Sequence, residues 1–409
     1  MKENKRKIIS LISILLIIVL VTISLMYFNI KGKDVAIKSS LKEYNLELEE
    51  NEHMHLEEDS TGDKIPVPNG YVGSKVAGEN EIDTGYVIYE GEGEVNDENV
   101  EEAQKTRNQY VWIPVPDVSK MYGIDENGKK WGKLYEFTTD EGDNIDPITG
   151  AKPLNWSENN GIMNIIGIYN YREPDIVLKD NSMKVYDMNS NLKNLNIGAE
   201  NSHNFLIQLE KEFNEMIDSV RKYGGFYIGR YETGNLNQEK AVIIKGNINI
   251  SSQNWYTMYK KCKDLKDENM NIETGMIWGN QWDRTLMWLI ESDNKSKEEI
   301  CKDSSSWGNY ISATFEYEET DGNIVTKNEG IAKRIPTGST EYTNANNIYD
   351  LAGNAHEWTM EGNSTMYRAF RGGYFSYSLT GVLPSSNRNA YITTSTNGYR
   401  SCRAMLYIK

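Results

Sequence analysis

Apolar and polar positions are distributed unevenly along the chain, and the unevenness divides it. From Ile8 to Phe28 no charge interrupts an apolar run of about 21 residues, which as a helix crosses a bilayer. A cleaved leader would carry an apolar core of about 7 to 15 residues ending in small side chains. Here Met26, Tyr27, Phe28 and Asn29 close the run, so residues 1–33 read as an N-terminal transmembrane signal anchor. Lys2, Lys5, Arg6 and Lys7 favour a cytoplasmic N-terminus, although Lys31 and Lys33 weaken the contrast. The expected location is the cell membrane, single-pass, with the C-terminal domain extracellular. Residues 34–107 are polar and acidic, with only "GYVIYE" able to pair as a strand; they are expected to form a largely disordered spacer.

Order is expected to resume near Asn108, where "NQYVWIPVP" gives a β-branched and aromatic strand ended by prolines. The Gly/Asp/Asn-rich stretch at about 117–203 reads as a solvent-facing insertion. Its acidic spacing fails a calcium-loop pattern, because Ala151 stands where the closing Glu is needed. Phe205, Leu206, Leu209, Phe213, Met216, Ile217 and Val220 then share one helical face, stopped by Gly224 and Gly225. The strand "GFYIGRYETG" follows. A second helix places Trp255, Met258, Tyr259, Cys262 and Leu265 on one side, and a third does so with Trp282, Leu286 and Leu289. After Lys302 short strands and loops run to Lys409, with no helical period. The fold class is α+β, rich in loops, with residues 108–409 as the globular domain.

Composition narrows the function classes. Forty-four basic against 60 acidic side chains give a net charge of -16, which repels phosphate backbones; nucleic acid is not an expected partner. The three cysteines, Cys262, Cys301 and Cys402, are too far apart for a CxxC zinc site or a disulfide framework. One bridge remains open. His53 and His55 have a metal-like spacing but sit on an acidic, solvated run, and they read as bystanders.

Several segments in order resemble the formylglycine-generating enzyme (sulfatase-modifying factor) family, whose fold is a variant of the C-type lectin fold. "YVWIPV" resembles its opening strand and "GFYIGRYETG" its early Y-E-V-T strand, with Glu232 and Thr233 as the shifted pair. Trp255 with Cys262 is similar to its W-x-x-A-x-x-Y-C helix, and Trp282 with Asp283 to the end of its L-P-T-E-A-E-W-E segment. The most specific matches come last: "IPTGST" with "NNIYDLAGNAHEWT", then "FRGGYF", then Arg388 and "NGYR". The resemblance implies a structural calcium in "DLAGNAHEW". There Asn354 and Glu357, with backbone carbonyls, could contribute to the roughly six to eight oxygens that calcium takes. The alternative is a corner in which both side chains only hydrogen-bond to backbone and Trp358 fills the core. His356 replaces the family's Trp and reads as a loop residue, since four histidines in the whole chain offer it no nearby partner.

Catalysis is where the match fails. The family's enzymes bind copper through a cysteine pair just after R-G-G-S; here that stretch reads "RGGYFSYSLTGVLPSS", without cysteine. No copper and no oxidase activity are expected. The chain beyond Gly373 is instead dense in Tyr, Ser, Thr and Asn, which combine rigid aromatic contact with adaptable hydrogen bonding. Tyr374, Phe375, Tyr377, Asn389, Tyr391 and Asn397 are the candidate ligand-binding residues; the plainer reading makes the rings core and the rest loop. The same stretch is the variable face of C-type lectin scaffolds diversified by retroelements, which this chain also resembles. Arg371, Arg388 and Arg400 are expected to tie loop carbonyls together. The reading is a membrane-anchored extracellular recognition protein, catalytically silent, for a protein or glycan ligand. Its alternatives are a structural component of a surface or secretion apparatus and an enzyme of this family with atypical residues.

Overall fold

A computed structural model of the chain describes residues 48–116, 118, 202–236, 240–266, 270–301, 303–362, 367–377 and 385–409. Leu46–Lys409 form one compact unit. The apolar run Ile8–Phe28, the start of the spacer and nearly all of the 117–203 insertion lie outside the described residues. Among the described residues no helix is long and apolar enough to cross a membrane.

The fold is mixed α+β and built on two sheets. In chain order the described elements begin with strands β1 (Met54–Glu58), β2 (Lys64–Pro68), β3 (Tyr71–Gly73) and β4 (Val87–Glu90), helix α1 (Val100–Thr106) and β5 (Gln109–Pro114). Next come α2 (Ser202–Tyr223), β6 (Gly225–Gly229), β7 (Gly234–Leu236), β8 (Lys240–Val242), α3 (Trp255–Lys263), β9 (Ile272–Met276), α4 (Gly279–Glu291) and α5 (Lys297–Cys301). The hairpins β10 (Phe315–Glu318) with β11 (Ile324–Lys327) and β12 (Asn344–Ala345) with β13 (Ile348–Tyr349) precede β14 (His356–Gly362), β15 (Tyr367–Arg371), β16 (Arg388–Ile392), β17 (Arg400–Cys402) and β18 (Ala404–Ile408). One sheet has six strands in the order β3-β4-β5-β6-β18-β9 and the other four in the order β16-β15-β14-β17.

Helical periodicity and burial agree. Phe205, Leu209, Phe213, Met216, Ile217 and Val220 on α2 are buried, as are Trp255, Met258, Tyr259 and Cys262 on α3 and Trp282, Leu286 and Leu289 on α4. Helix α3 starts where the Asn254 side chain accepts from Thr257 N at 2.9 Å, satisfying one of the free N–H groups of the first turn. The α2 stop is Gly224, whose φ of +78° suits glycine.

The boundary expected at Asn108 is corrected by the sheet itself. Strands β3 and β4 come from the expected spacer; β3 pairs antiparallel with β4 and β4 with β5, and Ile65, Val67, Tyr71, Val87, Ile88 and Tyr89 are buried. The interface is polar as well as apolar: Glu79 pairs with Arg230 at 2.7 Å, both buried, and Tyr227 Oη donates to Pro66 O at 3.0 Å. Acidic side chains dominate this stretch, yet its few apolar residues alternate in short runs that fill one edge of the main sheet. Described order therefore begins at residue 48, not near 108. His55 lies on β1 with Nε2 3.3 Å from Glu57 Oε1.

Candidate functional site

The segment from Asn344 to Glu357 is a folded corner rather than an open loop. Asn346, Asn347, Asp350, Gly353 and Asn354 all have φ between 47° and 76°, a region that Asn, Asp and Gly tolerate best. At Gly353 a Cβ would meet Asn309 O at 2.3 Å, so glycine is required on two counts. Asn347 Nδ2 donates to Gly78 O, Thr84 O and Gly85 O at 2.6, 3.1 and 2.9 Å. The corner is thereby tied to the N-terminal strands.

Asn354 and Glu357 face different partners. Asn354 Oδ1 accepts from Asn309 Nδ2 and Ile335 N, both at 3.0 Å, and its Nδ2 donates to Glu232 Oε2 at 2.6 Å. Both oxygens of Glu357 are taken by Arg403, Nη2 at 2.5 Å and Nε at 2.8 Å. These two side chains do not fit a shared calcium: their oxygens already accept from protein donors, and a fixed guanidinium stands where a dication would be repelled. The corner present is hydrogen-bonded, but largely to side chains rather than only to backbone as the alternative had it: Glu357 to Arg403, and Asn354 to Asn309 and Glu232 as well as to Ile335 N, with Trp358 fully buried beside it. Among the described residues no group of three or more His, Cys, Asp or Glu side chains converges as a metal would need.

Arg403 organises this interior. It sits between β17 and β18, the one-residue step from the small sheet to the large one. Its other hydrogen bonds go to Gly229 O at the end of β6 and Tyr349 O of β13, at 3.0 and 2.8 Å. Burial alone would depress it, but Glu357, Glu232 and Asp350 together push its pKa above the ordinary value. Burial, with Asp350 and Glu357 nearby, drives the Glu232 carboxyl well above the usual carboxylate range, opposed by Arg403 and Asn249.

The C-terminal stretch forms an open cleft of about 370 Å³, within the usual size range of small-ligand sites. Strand pairing assembles its floor. Parallel pairing of β14 with β17 sets His356 beside Arg400, and antiparallel pairing of β15 with β16 sets Phe370 beside Asn389. Five of the six candidate ligand-binding residues line it: Tyr374, Tyr377, Asn389, Tyr391 and Asn397. Phe375 does not; it backs the rim, its ring 5.7 Å from Tyr374 and 5.8 Å from Tyr399. Residues 378–384 of the same stretch lie outside the described residues.

Sequence reasoning missed four lining residues with chemistry of their own: His356, Phe370, Tyr399 and Arg400. His356 is the first residue of β14 rather than a loop residue, and its ring lies 4.4, 4.9 and 5.3 Å from Phe370, Tyr374 and Tyr377. Burial, reinforced by the Arg400 charge, lowers its pKa to about 3, so the imidazole is neutral. Its Nδ1 is buried without a partner.

The arginines divide. Arg371 does tie loops, donating from Nε to Asn387 O at 3.0 Å and pairing with buried Asp283 at 2.5 Å. Arg388's side chain lies outside the described residues. Arg400 departs from the expectation: it bonds the Ser395 hydroxyl at 2.7 Å and packs over the rings of Tyr391, Phe370 and Trp358 at 4.2, 4.8 and 5.2 Å. Short strands in this region were expected from the sequence, but the pairing that gathers these residues was not readable there.

The thiols offer no reactive pair. Cys262 and Cys402 are buried with Sγ atoms 3.5 Å apart. The Cys262 contact and burial push the Cys402 thiol well above its ordinary value, which disfavours the thiolate needed for nucleophilic or soft-metal chemistry. The side chain of Cys301 lies outside the described residues. No protein-family model matches this chain, and no curated protein matches it.

Proposed function

We propose that this chain is a membrane-anchored extracellular recognition protein. Its Ile8–Phe28 segment holds it in the membrane, and its C-terminal domain, read as a catalytically silent formylglycine-generating-enzyme-like domain of C-type lectin type, binds a protein or glycan. The observation that carries the reading is convergence: Tyr374, Tyr377, Asn389, Tyr391 and Asn397, spread over 24 positions of sequence, line one open cleft. Exposed Tyr391 and Tyr399, at 45% and 46% accessibility, give its mouth the rigid amphipathic rings that recognition surfaces favour. The buried thiols support a binding role over an oxidative one.

The full chain, reconstituted in nanodiscs, should bind saturably to a member of a glycan array or of a panel of purified cell-surface proteins. Tyr374→Ala and Tyr391→Ala should each weaken that binding about tenfold or more, as for aromatic anchors in a binding site. Binding that ignores both substitutions, or none in either panel, would overturn the reading.

A further inference from the structure

Arg400 is the one feature of the cleft that a merely aromatic surface would not need. It is 7% exposed, yet no carboxylate pairs with it among the described residues; its only hydrogen bond there is to Ser395 Oγ, and its Nε is buried without a partner. Buried cations are costly unless paired. The other buried arginines around it are paired: Arg403 with Glu357, Arg371 with Asp283, Arg230 with Glu79. The acidic chain, at net charge -16, therefore leaves Arg400 without a carboxylate partner among the described residues that line its cleft.

From this we infer that the cleft takes a carboxylate-bearing sugar, a uronic or sialic acid residue of a glycan, with the acid group on Arg400. This rests on the recognition reading above and narrows it. The desolvated Arg400 guanidinium, lowered to about 10 mainly by burial, gains the counter-ion it lacks. The rings of Tyr374, Tyr391 and Tyr399 line the cleft and supply the aromatic surface on which the C–H side of a pyranose would pack. Asn397, whose Oδ1 accepts from Tyr399 N at 2.7 Å, has an amide nitrogen with no partner among the described residues for a sugar hydroxyl. The unpartnered Nδ1 of His356 is a second waiting polar atom. Among the described residues the outer strand β16 also borders the cleft through Asn389, Ala390 and Tyr391, so an extended acidic peptide is the competing occupant that the test must separate.

The test titrates the full chain in nanodiscs with trigalacturonate and sialyllactose, beside the methyl ester of trigalacturonate, lactose and a short poly-glutamate peptide. The acidic sugars should bind, more weakly as salt rises, and the ester and lactose at least about tenfold more weakly, the value of one lost charge-assisted contact. Arg400→Gln should cost a similar factor and Arg400→Lys less. Should Arg400→Gln fail to fold, the acid-against-ester comparison on the unaltered chain still decides. Equal binding of acid and ester would overturn the charge assignment, and preference for the peptide would overturn the sugar, while either leaves a recognition role standing. No binding by any of these probes also ends the inference; the array and protein panel then judge the broader reading.

Discussion

Single residues decide the interior more than their sequence context suggests. Arg403 holds Glu357 and two backbone carbonyls from β6 and β13 in a space closed to water. Replacing it by Met should destabilise the fold by about 3 to 5 kcal/mol, because Glu357 is left buried and unpaired. Urea denaturation at neutral pH measures this, and a loss under about 1 kcal/mol would contradict the role. His356 sets a pH dependence. Its folded pKa of about 3 lies below the ordinary value of 6.5, so the unfolded chain binds more protons between them. The stability it contributes is present above about pH 6.5 and is lost as pH falls toward 3, at up to about 1.4 kcal/mol per pH unit. His356→Phe, close in shape and unable to ionise, should flatten this slope, and the difference between the two proteins should be constant above pH 7. Melting curves across pH 3.5 to 8 (about five points) would show the opposite if the imidazole were solvated.

Among elements, the helices α2, α3 and α4 were legible; of the early elements only the "GYVIYE" strand, β4, was, and α1 falls within the expected spacer. A 3.6-residue period needs only local sequence, and α2, α3 and α4 bury the side chains their spacing selects. Strands β1 to β4 are short, and acidic residues crowd around them; β1 pairs with β2, β3 with β4 and β4 with β5, and the distant strand β6 reaches β2 through Tyr227 Oη on Pro66 O. The same holds for the corner at 344–354, where Asn347 reaches the carbonyls of residues 78, 84 and 85. Asn347→Ala removes these three hydrogen bonds and should cost about 2 kcal/mol, since the carbonyls lose their donor. Gly353→Ala should cost more than the roughly 1 to 3 kcal/mol of left-handed strain, because its Cβ also meets Asn309. Denaturant midpoints check both, and near-native midpoints would mean that the corner is not held as described.

For the whole molecule, the consequence is that the N-terminal strands belong to the domain. A chain beginning at Leu46 should melt cooperatively, whereas one beginning at Asn108 should aggregate, because β5 becomes an unpaired edge and the buried face of β4 is gone. Circular dichroism melting separates the two. Sequence alone determined the α+β class, the helical faces, the apolar run at Ile8–Phe28, the missing cysteine pair and the tyrosine-rich stretch, because each is a matter of composition or of period within a few turns of chain. Tertiary structure alone decided that β3 and β4 complete the main sheet, that Asn354 and Glu357 engage Asn309, Glu232 and Arg403, and that Arg400 and His356 join the tyrosines. Those outcomes depend on strands distant in sequence coming into register, and register is fixed by the summed burial of both partners, which neither segment carries by itself.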